Sequence, residues 1–205
     1  MMRVSVALNP KAKERTWLRS PLALLSIAVM ACGLILLAQG LWIHAKAYAA
    51  QILLERAFTE SIATGDTIKP WSWADTWPVA RIEAPRLAAS AIALNGASGQ
   101  ALAFGPGHLQ NTPQAGEHGT AVYAAHRDTH FAFLKDIEKG DLIRITRNDG
   151  KTFTYRATQM TVTRWDEAQI DAHAAGSHLV LATCYPFDAV TQGPLRYLVY
   201  ADLVE

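Results

Sequence analysis

Leu179-Val180-Leu181-Ala182-Thr183-Cys184-Tyr185-Pro186-Phe187 is the stretch that decides the reading of this chain. Leu179 to Thr183 is a short apolar run, rich in strand formers, and Pro186 stops it. The strand therefore delivers Cys184 to the point where it opens into a loop. Only one other cysteine exists, Cys32, and it lies in a long uncharged segment far upstream. Cys184 thus has no disulfide partner within its own part of the chain. A lone thiol at a strand end is either a small core residue or a nucleophile.

Two other residues at strand ends give weight to the second possibility. Gly119 to His126 (GTAVYAAH) alternates as a strand, placing Thr120, Val122, Ala124 and His126 on one face. His130 follows within the same AAHRDTHF segment. Imidazole is the side chain that exchanges protons most readily near neutral pH, so a histidine here can serve a thiol as acid or base. Arg196 opens the apolar strand of GPLRYLVY, 12 residues after Cys184. A loop of about that length joins two neighbouring strands and brings Arg196 back beside the thiol. Its planar fork of donors suits an oxygen that becomes negative. The other histidines (His44, His108, His118, His173, His178) fall at the expected membrane edge, in loops or at a strand start, where a solvated role is the default.

Outward from this core, the chain divides by composition. It has 205 residues, 50% hydrophobic and 18% charged. Residues 1–20 hold five basic side chains and one acidic; from totals of 19 and 18, the rest holds 14 basic and 17 acidic. A slightly acidic remainder has no electrostatic footprint for nucleic acid. Pro21 to Ile43 carries no charge, and at about 23 residues it can cross an apolar layer of roughly 30 Å. The basic residues before it keep that end cytoplasmic. A cleaved signal peptide competes with an uncleaved anchor, but the run exceeds the roughly 7–15 residues of a signal core. The expected layout is a basic tail (1–20), a membrane anchor (21–43), a helical stalk with a Trp-rich linker (44–76) and a β domain (77–205). Trp71, Trp73 and Trp77 are expected to pack against that domain.

Beyond the linker, strands are expected at Val79–Ala84, Ala91–Leu94, Gly119–His126, Asp141–Thr146, Thr152–Thr163, His178–Thr183 and Arg196–Leu203. Residues 96–119 read as loop, with a turn of helix near Gln100–Phe104. Asp166–Ala175 reads as a short helix or lid-like loop. Many short strands and few helices predict a mainly β fold, either a closed barrel or a sandwich.

AAHRDTHF, LATCYPF and PLRYLV together resemble the sortase family of extracytoplasmic cysteine transpeptidases, and most of all its branch from Gram-negative proteobacteria. The likeness runs from about Trp77 to Glu205. The family's T-L-x-T-C pattern falls on Val180, Leu181, Ala182, Thr183 and Cys184, so its first threonine is replaced; Ala125 stands where glycine often precedes the histidine. The resemblance implies a closed eight-stranded β-barrel and catalysis by His126, Cys184 and Arg196. It implies an exported partner protein with a C-terminal LPxTG-like sorting signal, an amine acceptor, and no metal or organic cofactor. Cys184 would attack the threonine carbonyl of the signal. Arg196, with a backbone N–H near Cys184 and Thr183, would steady the oxyanion, and His126 would protonate the leaving amine. Asp128 and His130 are reserve candidates to assist or replace His126. L,D-transpeptidases place His-Gly before their cysteine and papain-like proteases reverse the order, so neither pattern fits. A hydrolase using water, and a tethered peptide-binding barrel without catalysis, remain the alternatives.

Overall fold

The computed structural model describes residues 21–204; the expected basic tail, 1–20, lies outside them. The element order is α1 (Pro21–Thr64), β1 (Pro78–Ala84), β2 (Ala89–Asn95), α2 (Gly99–Leu102), β3 (Gly107–His108), β4 (Gly119–Ala124), β5 (Leu142–Arg147), β6 (Thr152–Arg164), β7 (Ser177–Cys184) and β8 (Leu195–Leu203), with 3₁₀ turns at Pro85–Leu87 and Ala132–Asp136.

The first part of α1 is long and apolar enough to cross a membrane. A compact unit begins at Ala47. Within it, the last turns of α1 present Ala50, Leu54, Ala57, Phe58 and Ser61 as a buried stripe at helical spacing. Leu54 and Phe58 pack on Ile92, Leu94 and Ala101, with Phe104 at the rim. The Gln51 amide donates to the Phe104 carbonyl at 2.8 Å, and Arg81 pairs with Glu55. This end of the expected stalk is thus a packed layer on the outer face of β2. Gly65 terminates it: its φ of +79° is a left-handed conformation natural to glycine, and its N–H caps the Ser61 carbonyl at 2.9 Å.

The strands close a barrel in the order β1-β2-β3-β4-β7-β8-β6-β5, with β5 returning to β1. This decides between the barrel and the sandwich that the strand count allowed. Two pairings are parallel, β2–β3 and β4–β7, and the others antiparallel. Alternation fills the interior. Ala121 and Tyr123 of β4, Leu179 and Leu181 of β7, and Val199 and Ala201 of β8 meet Ile82, Ile143, Ile145 and Tyr155 in one core. The intervening residues Val122, Val180 and Leu198 face outward, where Ala168 and Ile170 from the β6–β7 loop and Leu109 cover them.

The local reading needs several corrections. β2 is longer than expected, α2 starts at Gly99, and β3 sits inside the stretch read as loop; at two residues it is too short for any periodicity to reveal. His108, expected to be solvated, is buried on β3, and its Nε2 lies 2.9 Å from the Pro113 carbonyl. Burial pushes its pKa down. Residues 166–176 form turns, not a helix. Trp71 meets Phe104 edge-on, with ring centroids 5.1 Å apart, and Trp77 packs on the core, but Trp73 is 81% exposed.

If the end of α1 belongs to the folded domain, Phe58→Ala destabilises it by about 3–5 kcal/mol, the range for deleting a buried aromatic ring. Thermal unfolding of the full chain in detergent checks this; an unchanged midpoint contradicts it.

Candidate active site

The site grows out of β7, which pairs with β4 on one side and β8 on the other. On the β8 side the ladder sets Cys184 opposite Arg196. The next pair, Tyr185 and Leu195, is joined by a hydrogen bond from the Tyr185 N–H to the Leu195 carbonyl at 3.0 Å. In an antiparallel ladder, bonded and unbonded pairs alternate, so Cys184–Arg196 is an unbonded pair. Such pairs have the closer approach, with Cα atoms about 4.5 Å apart. On the β4 side the register runs to Ala124–Ala182, and the Ala125 N–H continues it by donating to the Ala182 carbonyl at 3.1 Å. His126 is then level with Cys184. The chain turns away at that point, with the Phe131 N–H closing onto the His126 carbonyl at 3.1 Å.

Parity fixes which way these side chains face. Leu179, Leu181 and Thr183 alternate with Val180, Ala182 and Cys184, and the first set faces the barrel interior. By the same alternation Arg196 shares the outer face with Leu198. The structure therefore pairs Cys184 with Arg196 on one outer face, while His126 lies two residues beyond the end of β4, level with Cys184 along the register. His126 is exposed, while Cys184 and Arg196 are half-buried.

Thr183 departs from its expected part in the oxyanion site. It faces inward, is 2% exposed, and its hydroxyl donates to the Ala125 carbonyl at 2.7 Å. That bond fastens the end of β7 to the residue before His126, so the threonine acts on the backbone that carries the imidazole. The Tyr185 N–H is already engaged in the ladder. Arg196 holds its loop through Nη1, which donates to the carbonyls of Gly193 (2.9 Å) and Leu195 (2.8 Å). Its Nε and Nη2 have no acceptor among the described residues.

Burial first, and then the neighbouring His126, hold the pKa of His130 below its usual value. Arg127, passed over in the sequence reading, reaches across with Nη2 to the carbonyls of Ala189 and Thr191 in the β7–β8 loop, the second at 2.9 Å. Its chemical signal, a basic residue beside the candidate histidine, was visible, but its partners some sixty positions away were not. Tyr185, Phe187 and Tyr197 form an aromatic cluster beneath the same loop.

The wall of the site is fastened at the far end of β7. His178 places Nδ1 2.7 Å from Asp202 and Nε2 2.8 Å from the Ala175 carbonyl. Both neighbours are acceptors and raise its pKa, the carbonyl more than the carboxylate. The Thr120 hydroxyl donates to the Asp171 carbonyl at 2.7 Å, and the Gly119 N–H to the Gly176 carbonyl at 2.7 Å. Gly119 has φ +112°, and a Cβ there would lie 2.2 Å from the Ala172 carbonyl oxygen, so this junction requires glycine. Among the described residues, no group of three or more His, Cys, Asp or Glu side chains is placed to hold a metal ion.

The Sortase domain model matches residues 82–204, and the chain belongs to the sortase family. Sortase D of Bacillus subtilis (strain 168) is 32% identical over 124 residues, covering 60% of this chain and 62% of that protein. The match therefore spans a little under two-thirds of that relative's length. Among solved structures, sortase C-1 from Actinomyces oris is 28% identical, with a TM-score of 0.55, over 62% of this chain and 75% of that one. A Clostridium perfringens sortase D5 transpeptidase shares the fold at 21% identity, with a TM-score of 0.59, over 76% of this chain and 96% of that one.

Two outcomes follow. Thr183→Val keeps the shape but strands the Ala125 carbonyl, and should cost about 1–3 kcal/mol, measured by chemical denaturation; a neutral result contradicts the tether. The raised pKa of His178 means its stabilisation is complete below the unfolded value of about 6.5 and fades as pH rises through the folded value. The loss of melting temperature in His178→Asn should then be larger at about pH 5.5 than at about pH 9; equal losses contradict the latch.

Proposed function

We propose that the chain is a membrane-anchored cysteine transpeptidase acting on the C-terminal sorting signal, of LPxTG type, of an exported protein. The observation that carries this reading is the register of β7, which pairs Cys184 with Arg196 and, continued past β4, runs level with His126.

Cys184, as thiolate, attacks the carbonyl carbon of the signal's threonine. The oxygen becomes an anion, and Arg196 meets it with the donors its own loop leaves free. With the Tyr185 N–H in the ladder and the Thr183 hydroxyl turned inward, Arg196 carries most of this charge. His126 gives a proton to the departing amine as the carbon–nitrogen bond breaks, leaving a thioester on Cys184. A second amine attacks the thioester, returns a proton to His126 and releases the thiolate with a new amide formed. The outward apolar strip of Val122, Val180 and Leu198 is itself covered by Leu109, Ala168 and Ile170, so it packs the wall along β7 beside the thiol.

The helix beginning at Pro21 supports an anchor, and the basic residues before it support a cytoplasmic N-terminus, with the barrel on the far side of the inner membrane. Placement in the Gram-negative branch rests on the motifs AAHRDTHF, LATCYPF and PLRYLV.

The test is to incubate the full chain in detergent with a sorting-signal peptide and detect a covalent adduct by mass spectrometry. The adduct should form on the wild type, disappear in Cys184→Ala, and yield an amide product when an amine is added. No adduct with any signal sequence, or one that survives Cys184→Ala, would sink the reading; an adduct that yields only acid would reassign the enzyme as a hydrolase. Arg196→Lys should lower turnover by about 10²-fold, the scale of losing an oxyanion donor. His126→Ala should be equally damaging and His130→Ala nearly silent.

A further inference from the structure

The loop of residues 185–194, between the candidate nucleophile and the candidate oxyanion donor, is held in an unusual way. Its tip is not anchored by apolar packing: Val190 is 100% exposed. Its backbone bonds lie toward its ends, from the Tyr185 N–H to Leu195 and from the Trp165 N–H to Pro194, with a long 3.4 Å contact from the Ala189 N–H to Pro186. What grips the tip is Arg127, whose Nη2 donates to the carbonyls of Ala189 and Thr191. No carboxylate pairs with this guanidinium among the described residues, and its Nη1 is buried without a partner. A half-buried guanidinium with one nitrogen wholly buried and unpartnered is a costly arrangement, and the geometry it enforces is what it supplies in return.

That geometry has a direct line to the site. Two residues beyond Thr191, the Gly193 carbonyl accepts from Arg196 Nη1 at 2.9 Å. The ladder fixes the backbone of Arg196 opposite Cys184, but not the direction of its guanidinium, which that carbonyl holds together with the Leu195 carbonyl. Arg127 adjoins His126 in the chain and shares its turn, so one side chain ties the turn carrying the acid to the loop that aims the donor. We propose that Arg127 is a positioning residue, which sets the β7–β8 loop and through it directs the Arg196 guanidinium toward the carbonyl attacked by Cys184. Arg127 touches no substrate; its effect passes through Gly193 and Arg196. The proposal rests on the transpeptidase reading given above.

The experiment uses the full chain in detergent, with Arg127→Ala, Arg127→Lys, Arg196→Lys and the Arg127→Ala/Arg196→Lys double variant. The readouts are the rate of thioester formation with a sorting-signal peptide, its dependence on peptide concentration, and backbone hydrogen exchange at residues 188–193. Arg127→Ala should slow thioester formation about 10-fold, in keeping with a misaimed donor, while the half-saturating peptide concentration changes little. Exchange at 188–193 should rise. Because Arg127 acts through Arg196, the double variant should be scarcely slower than Arg196→Lys alone. Losses that multiply, or an unchanged loop exchange, would overturn the proposal. Arg127→Lys keeps the charge without the rigid fork; it should show the same loop loosening in milder form, and it decides the matter should the alanine variant not fold. If the wild type forms no thioester, the transpeptidase reading fails, and the exchange at 188–193 still decides whether Arg127 holds the loop.

Discussion

Everything at the active end of this barrel depends on the hydrogen-bond register of one central strand. β7 is parallel to β4 and antiparallel to β8, and it cannot slip by one residue without turning Leu179 and Leu181 out of the core and Val180 into it. Those two leucines and Val180 are all wholly buried, so a slip would exchange side chains of different size between two packed layers, and it is this fit that locks the register. The same lock fixes the last residue of the strand. Cys184 falls on the outer face, opposite Arg196 and level with His126, because it lies an odd number of positions from Leu179 and Leu181. Core packing and site geometry are therefore one constraint expressed at two ends of an eight-residue strand.

The residues around this register hold it where the ladder ends. β4 stops at Ala124, two positions short of His126, and the Thr183 hydroxyl extends the attachment by binding the Ala125 carbonyl from inside the barrel. On the other side, Arg196 fastens its own loop while part of its guanidinium has no acceptor among the described residues. The far end of the wall is tied by Thr120, Gly119 and His178 to residues 171–176. The outer apolar strip is consequently bounded at one end by the thiol and at the other by a cluster of polar ties.

Much of this was legible in the sequence, for identifiable reasons. The uninterrupted apolar run of Leu179–Thr183 marked a buried strand that ends at Cys184, whereas the strand expected over Gly119–His126 stops at Ala124 and leaves His126 in the turn beyond it. The strand count alone could not tell the closed barrel from a sandwich, because closure is a pairing of β1 with β5 that leaves no local mark; the family resemblance chose the barrel. β3 has two residues and no period, and His108 on it looked like a loop residue until its pairing with β4 buried it. Charged residues enter α1 after Ile43 and the apolar spacing of Ala50, Leu54, Ala57 and Phe58 marks a buried stripe, but nothing in that spacing names β2 as the surface it packs on. Arg127 and the inward turn of Thr183 are contacts across some sixty residues of chain, which no local pattern encodes.

The account stands on Cys184 and Arg196 facing each other as an unbonded cross-strand pair, and a cross-link measures that directly. In a Cys32→Ser background, Arg196→Cys should form a disulfide with Cys184 under mild oxidation, since unbonded antiparallel pairs approach closely enough for one. Tyr197→Cys, one residue on and facing the core, should not. A Cys184 that links to position 197 and not to 196, shown by peptide mapping, would mean the register described for β7 and β8 is wrong.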